Sequence, residues 1–125
     1  MRKVIETANA PKAIGPYSQA VEVNGTLYIS GQIPINPSTG TLVDGGIAEQ
    51  TEQVLKNIGA ILQAAGYSYS QVAKCTCLLA DMSMFKEMNE VYARFFAENA
   101  PARAAFGVVK LPMGSLIEIE AIAAK

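Results

Sequence analysis

The dipeptide Asn24-Gly25 lies between two β-prone runs, Gln19 to Val23 and Thr26 to Ser30. Both of its residues tolerate positive φ, which a two-residue hairpin turn requires, so the runs on either side are expected to pair antiparallel. The fold must therefore contain a sheet, and the rest of the chain must cover it. From Ile47 to Ala65 the apolar period lengthens: Val54, Leu55, Ile58, Ile61, Leu62 and Ala65 recur at three and four, and Gly66 supplies the stop. This predicts an amphipathic helix. A second is expected after Asp81 or Ser83 as cap, with Phe85, Met88, Val91, Tyr92, Phe95 and Phe96 as its apolar stripe. Asn89 falls between the stripe positions, where an asparagine either faces water or performs a specific polar task.

Further strands are expected at Arg2 to Thr7, at Val72 to Ala80 with Ala73, Cys75, Cys77 and Leu79 on one side, and in the last quarter of the chain. The order strand, hairpin, helix, strand, helix, strand, strand predicts an α+β domain of two layers, a mixed sheet with both helices on one face. The connection Ile33 to Gly46, with Pro34, Pro37, Gly40, Gly45 and Gly46, is long enough to form a small hairpin of its own. In the terminal strand Ile117, Ile119 and Ala121 alternate with Leu116, Glu118, Glu120 and Ile122. A solvated face would be more uniformly polar, so copies of the sheet are expected to pack together with Glu118 and Glu120 in or near the contact.

The chain of 125 residues is the size of one domain, residues 1–125, and half of it is hydrophobic with 17% charged. A net charge of -1 without a Lys/Arg cluster argues against nucleic acid as a partner. No stretch has the length of a signal peptide or of a bilayer span, which makes a cytoplasmic protein without membrane contact the expectation. Two cysteines spaced C-x-C, Cys75 and Cys77, read as small core residues, and no metal set is present. The absence of histidine removes His triads, His metal sites and His bases. Any chemistry here must use Arg, Tyr, Ser, Asn, Glu, backbone amides and water.

Among these, Arg103 is the first candidate. It follows Pro101 and precedes Ala104, Ala105 and Phe106, an apolar setting in which a guanidinium grips a carboxylate or phosphate through two parallel hydrogen bonds. An arginine beside a strand also serves as partner to a structural carboxylate or as a snorkelling surface group. Neighbouring final strands would deliver Arg103 and a glutamate, Glu118 or Glu120, to one place. In the loop Ala13 to Gln19, Gly15 and Pro16 stiffen the approach to Tyr17, which then presents its hydroxyl from a rigid base or packs locally. Gly31, at the end of the hairpin's second strand, allows a ligand or another backbone to come close.

Five stretches carry a resemblance: AIGPYSQA from Ala13, ISGQIP from Ile29, Phe85 through Asn89 to Tyr92, Pro101-Ala102-Arg103, and IEIEA from Ile117. In collinear order over nearly the whole chain, they resemble the Rid family, also called YjgF, and within it the RidA type of imine deaminase. The resemblance implies a chorismate-mutase-like fold, a homotrimer with inward-facing sheets and sites at the subunit interfaces, and no cofactor. The implied reaction, a form of metabolite damage control, is hydrolysis of 2-imino acids such as 2-iminobutanoate and 2-iminopropanoate to 2-keto acids and ammonia.

Carried over by position, Arg103 would hold the substrate carboxylate, Glu118 would orient the attacking water, and Tyr17 would place a hydroxyl near the reacting nitrogen. Ile14, Ser30, Phe85 and Asn89 would line the pocket, with Gly31 and Ala105 supplying backbone contacts. Many members have a cysteine where this chain has Ala105, so a backbone contact survives there and a thiol contribution does not. The family also includes members with reported non-catalytic roles or with RNA cleavage. A small-carboxylate binding module or protein-interaction module of the same fold is thus the alternative, while RNA cleavage lacks its electrostatic footprint here.

Overall fold

The computed structural model describes residues 1–125. Strand β1 spans Arg2–Ile5, and the hairpin follows as β2, Ala20–Val23, and β3, Thr26–Gln32. Its turn has φ of 48° at Asn24 and 77° at Gly25, the positive values that the dipeptide predicts. The long connection forms the small hairpin β4, Ile35–Asn36, and β5, Thr41–Leu42. The Asn57 amide donates to the Ile35 carbonyl at 3.0 Å and ties this hairpin to the first helix.

Helix α1 runs Ile47–Ala64, with the Glu49 carboxylate accepting from the Gly46 N–H at 2.8 Å across its first turn. Gly66, at φ 80°, ends it. Strand β6 is Val72–Leu79, helix α2 is Phe85–Phe95, β7 is Ala102–Gly107 and β8 is Ile117–Ala124. Neither expected residue caps α2, whose N-cap is Met84 without a side-chain bond; Asp81 instead caps the short 3-10 turn Met82–Met84 that leads into it, accepting from the Ser83 N–H at 2.8 Å.

The main sheet has the order β1-β2-β3-β8-β6-β7, antiparallel throughout except for the parallel pair β6 and β7. That exception follows from the α2 crossover, because a parallel pair needs a connection of about a dozen residues or more, which the segment carrying α2 supplies. Both helices cover one face. Leu27, Ile29, Cys75, Cys77, Leu79, Ile117, Ile119, Ala121 and Ala123 turn toward Val54, Leu55, Ile58, Ile61, Leu62 and Met88, all buried. Cys75 and Cys77 are free thiols within this core.

One residue departs from the expected face. Ala73 is exposed and Val72 is buried instead, because the pairing with β8 slips between Val72 and Lys74 and leaves Ala73 as the extra residue of a bulge. The opposite face carries Val21, Tyr28, Ile122, Leu78 and Phe106 among polar groups, and Tyr28 and Phe106 are about half exposed. It is the partly apolar, uncovered face that the alternation in β8 predicts.

Candidate functional site

The register assigns each candidate to one face of the sheet. A continuous row runs Ile29, Ala121, Cys75, Arg103 across β3, β8, β6 and β7, and the first three of these are buried toward the helices. Arg103 therefore leaves β7, the edge strand, on the helix side. There helix α2 meets it with Phe85, Asn89 and Tyr92, at i, i+4 and i+7 on one face of the helix. The Arg103 Nη1 donates to Asn89 Oδ1 at 2.7 Å, and the guanidinium carbon lies 4.8 Å from the Tyr92 ring centre and 5.3 Å from that of Phe85.

No carboxylate pairs with this guanidinium, since the one ion pair of the chain is Lys56 with Glu52. Burial pushes the nearby Cys75 thiol up and the Cys77 thiol to about 12, so neither is an anion at neutral pH. Arg103 is a cation with one of its five N–H groups engaged and no internal counter-charge. Ala105 is on the same side of the sheet, beside Cys77.

Glu118 belongs to the other face. Its row runs Glu118, Leu78, Phe106, and its carboxylate lies against Gly31. A bulge between Ile29 and Gln32 brings Gly31 there, and a Cβ on Gly31 would overlap the Glu118 carboxylate, 2.9 Å from Cδ. Glycine here makes room for the Glu118 carboxylate, and a larger residue would displace that side chain; the backbone angle does not demand glycine. Burial, and secondarily the charge of Glu120, raise the Glu118 carboxyl above its ordinary value. Glu120 itself is exposed.

Ser30 precedes Gly31, and its hydroxyl donates to the Ser18 carbonyl at 2.6 Å. Tyr17 shares a cleft with Ser30, lined also by Gly15, Pro16, Val21 and Tyr28. The Tyr17 ring is half exposed, its hydroxyl accepts from the Ile14 N–H at 3.4 Å, and Ile14 is largely open to solvent.

The candidates therefore form two groups. Tyr17, Ser30, Gly31 and Glu118, with Ile14 at their margin, belong to the uncovered face; Arg103, Asn89, Phe85 and Ala105 belong to the helix side of the β7 edge. The expectation that neighbouring strands bring Arg103 and Glu118 together is corrected here. Strand β6 separates β7 from β8, the two residues emerge on opposite faces, and their rows are three residues apart, roughly 10 Å along the strands. Tyr92, expected in the apolar stripe and at the end of the stretch Phe85 to Tyr92 with no site role of its own, is the ring nearest the guanidinium. Its spacing from Phe85 and Asn89 was the available signal.

Comparison with known proteins gives this geometry a setting. The family described as Endoribonuclease L-PSP matches residues 7–125. The chain is similar to a human protein named 2-iminobutanoate/2-iminopropanoate deaminase, 58% identical over 98% of this chain and 90% of the relative. It is similar in structure to YyfA from Yersinia pestis, described as a Rid-family protein of unknown function, at a TM-score of 0.97 and 50% identity with full coverage of both chains. It is also similar to TdcF of E. coli, solved with bound serine, at a TM-score of 0.94 and 40% identity over 98% of each chain. Matched from residue 7 to its last residue by the family and at half identity or more by relatives of its own length, the chain belongs to the Rid family.

Proposed function

We propose that this protein is a hydrolase that converts 2-imino acids such as 2-iminobutanoate and 2-iminopropanoate to 2-keto acids and ammonia. The observation that carries the reading is the unpaired Arg103 guanidinium, held by Asn89 and two rings with most of its donors free. A 2-imino acid offers a carboxylate that fits this fork, next to a carbon that is already electrophilic. The human relative's name supplies the substrate class, and the serine bound to the E. coli relative is a small molecule with the same carboxylate.

In the reaction, water adds to the imine carbon and gives up a proton to Glu118, whose burial makes its carboxylate a stronger base than that of an exposed glutamate. Proton transfer to nitrogen and cleavage of the carbon–nitrogen bond then release ammonia and leave the carbonyl. Arg103 holds the carboxylate throughout, Tyr17 offers its hydroxyl to the nitrogen, and Ser30, Gly31, Ile14, Phe85, Asn89 and Ala105 shape the pocket. No cofactor takes part.

Because Arg103 and Glu118 emerge on opposite faces of one sheet, a substrate that touches both requires two chains. The β7 edge of one copy docks on the uncovered face of the next, and a ring of three such contacts gives a homotrimer with sites between subunits. The half-exposed Tyr28 and Phe106 on that face fit burial against a second copy. The protein acts in the cytoplasm on small molecules; no helix is long and apolar enough to cross a membrane. RNA cleavage, which the family's description suggests, is a weaker reading for a chain with no histidine and a net charge of -1.

The test couples an amino-acid oxidase, which generates 2-iminobutanoate in place, to the loss of the imine. The protein is expected to accelerate that loss. Tight 2-oxobutanoate binding with no acceleration would instead support a carboxylate-binding module.

A further inference from the structure

We propose that Tyr92 is the positioning residue for Arg103, its ring fixing the plane of the guanidinium before a carboxylate arrives. The proposal deepens the clamp role assigned above and rests on it.

Three observations carry the inference. Tyr92 is the nearer of the two rings, at 4.8 Å against 5.3 Å for Phe85. It is also the more deeply packed one, being 5% exposed and set against Phe96 with ring centres 4.8 Å apart, whereas Phe85 is only partly buried. A guanidinium over an aromatic face is attracted by the ring quadrupole, most strongly where water is excluded. A single hydrogen bond, from Nη1 to Asn89, leaves the fork free to pivot about that atom. A ring surface beneath it removes the pivot and directs the remaining donors outward.

The third observation concerns the phenol. The Tyr92 hydroxyl is buried, and its one polar neighbour is the Cys75 thiol, a weak hydrogen-bond partner. A hydroxyl that meets only a thiol gains little from its burial, so phenylalanine would serve the core about as well. The part of Tyr92 that acts on Arg103 is the ring. The hydroxyl is dispensable to the clamp.

The test compares Tyr92→Phe, Tyr92→Leu and Tyr92→pentafluorophenylalanine, the last keeping the phenylalanine shape while removing the negative ring face. The readouts are calorimetric titration with 2-oxobutanoate, imine turnover and thermal unfolding. Tyr92→Phe is expected to keep the Kd and KM of the wild type and a similar Tm. The leucine and fluorinated variants are expected to raise Kd and KM by about tenfold, with a much smaller change in kcat. The fluorinated variant keeps the packing, so a merely structural role would leave its Kd unchanged, and that result overturns the proposal. Loss of binding in Tyr92→Phe would overturn it too. Failure of the deaminase reading is separately visible as wild-type protein that binds 2-oxobutanoate and turns over no imine, because the Kd comparison still decides the role of Tyr92.

Discussion

Replacing Arg103 with alanine is expected to lower kcat/KM for 2-iminobutanoate roughly a thousandfold, the loss of two charge-assisted hydrogen bonds at about 1.5–3 kcal/mol each. The protein should remain folded. Arg103 is on an edge strand, is only partly buried and makes one side-chain hydrogen bond, so its removal leaves no buried charge behind. Arg103→Lys is expected to recover little of the activity. An ammonium cannot form the planar fork, nor reproduce the contact of a flat guanidinium with the Tyr92 ring while bonding Asn89. Steady-state kinetics with a thermal melt on each variant checks this, and folded Arg103→Ala protein with retained turnover would remove the clamp.

The second large effect is expected at Glu118. Glu118→Gln keeps the shape beside Gly31 and removes the proton acceptor, so kcat should fall about a hundredfold to ten-thousandfold. Binding of 2-oxobutanoate should be nearly unchanged, the opposite of the Arg103→Ala pattern. In the wild type, the acid limb of kcat/KM should lie above the ordinary glutamate value, because burial and then Glu120 raise the Glu118 carboxyl. Glu120→Gln removes the second cause and should move that limb to lower pH.

The same shift has a consequence for stability. A folded carboxyl raised above its unfolded value favours the fold below the unfolded pKa, and this contribution is lost as pH rises through the folded pKa. Above its folded pKa the ionised Glu118 is a cost to the fold, so Glu118→Gln should melt at the wild-type temperature or higher in that range. Lower activity with undiminished stability is what separates a residue kept for chemistry from one kept for packing.

Much of the architecture is local and therefore legible. Asn24-Gly25 specifies its turn within two residues, and the α1 stripe from Val54 to Leu62 repeats often enough to define one buried face. What escaped is non-local. Nothing near Arg103 or Glu118 reveals that β6 is inserted between their strands, because strand order depends on the α2 crossover. The bulge at Ala73 likewise arises from pairing with β8, not from the identity of the alanine. The candidate site was legible as residue types and in part as loops. Its division between two faces was not, since it depends on the register of three strands. Tyr92 was hidden differently, as an aromatic in an apolar stripe whose ring touches both the core and the cation.

The most direct measurement mixes the two inactive proteins. Arg103→Ala and Glu118→Gln chains, unfolded together in equal amounts and refolded, should recover activity, because some interfaces then join an intact Arg103 from one chain to an intact Glu118 from its neighbour. Random mixing in a closed ring predicts about one quarter of the wild-type sites. Recovery near that level would establish a site shared between copies. Mixed oligomers that form and stay as inactive as either parent would contradict it, and would place the reacting groups within one chain or outside this pair.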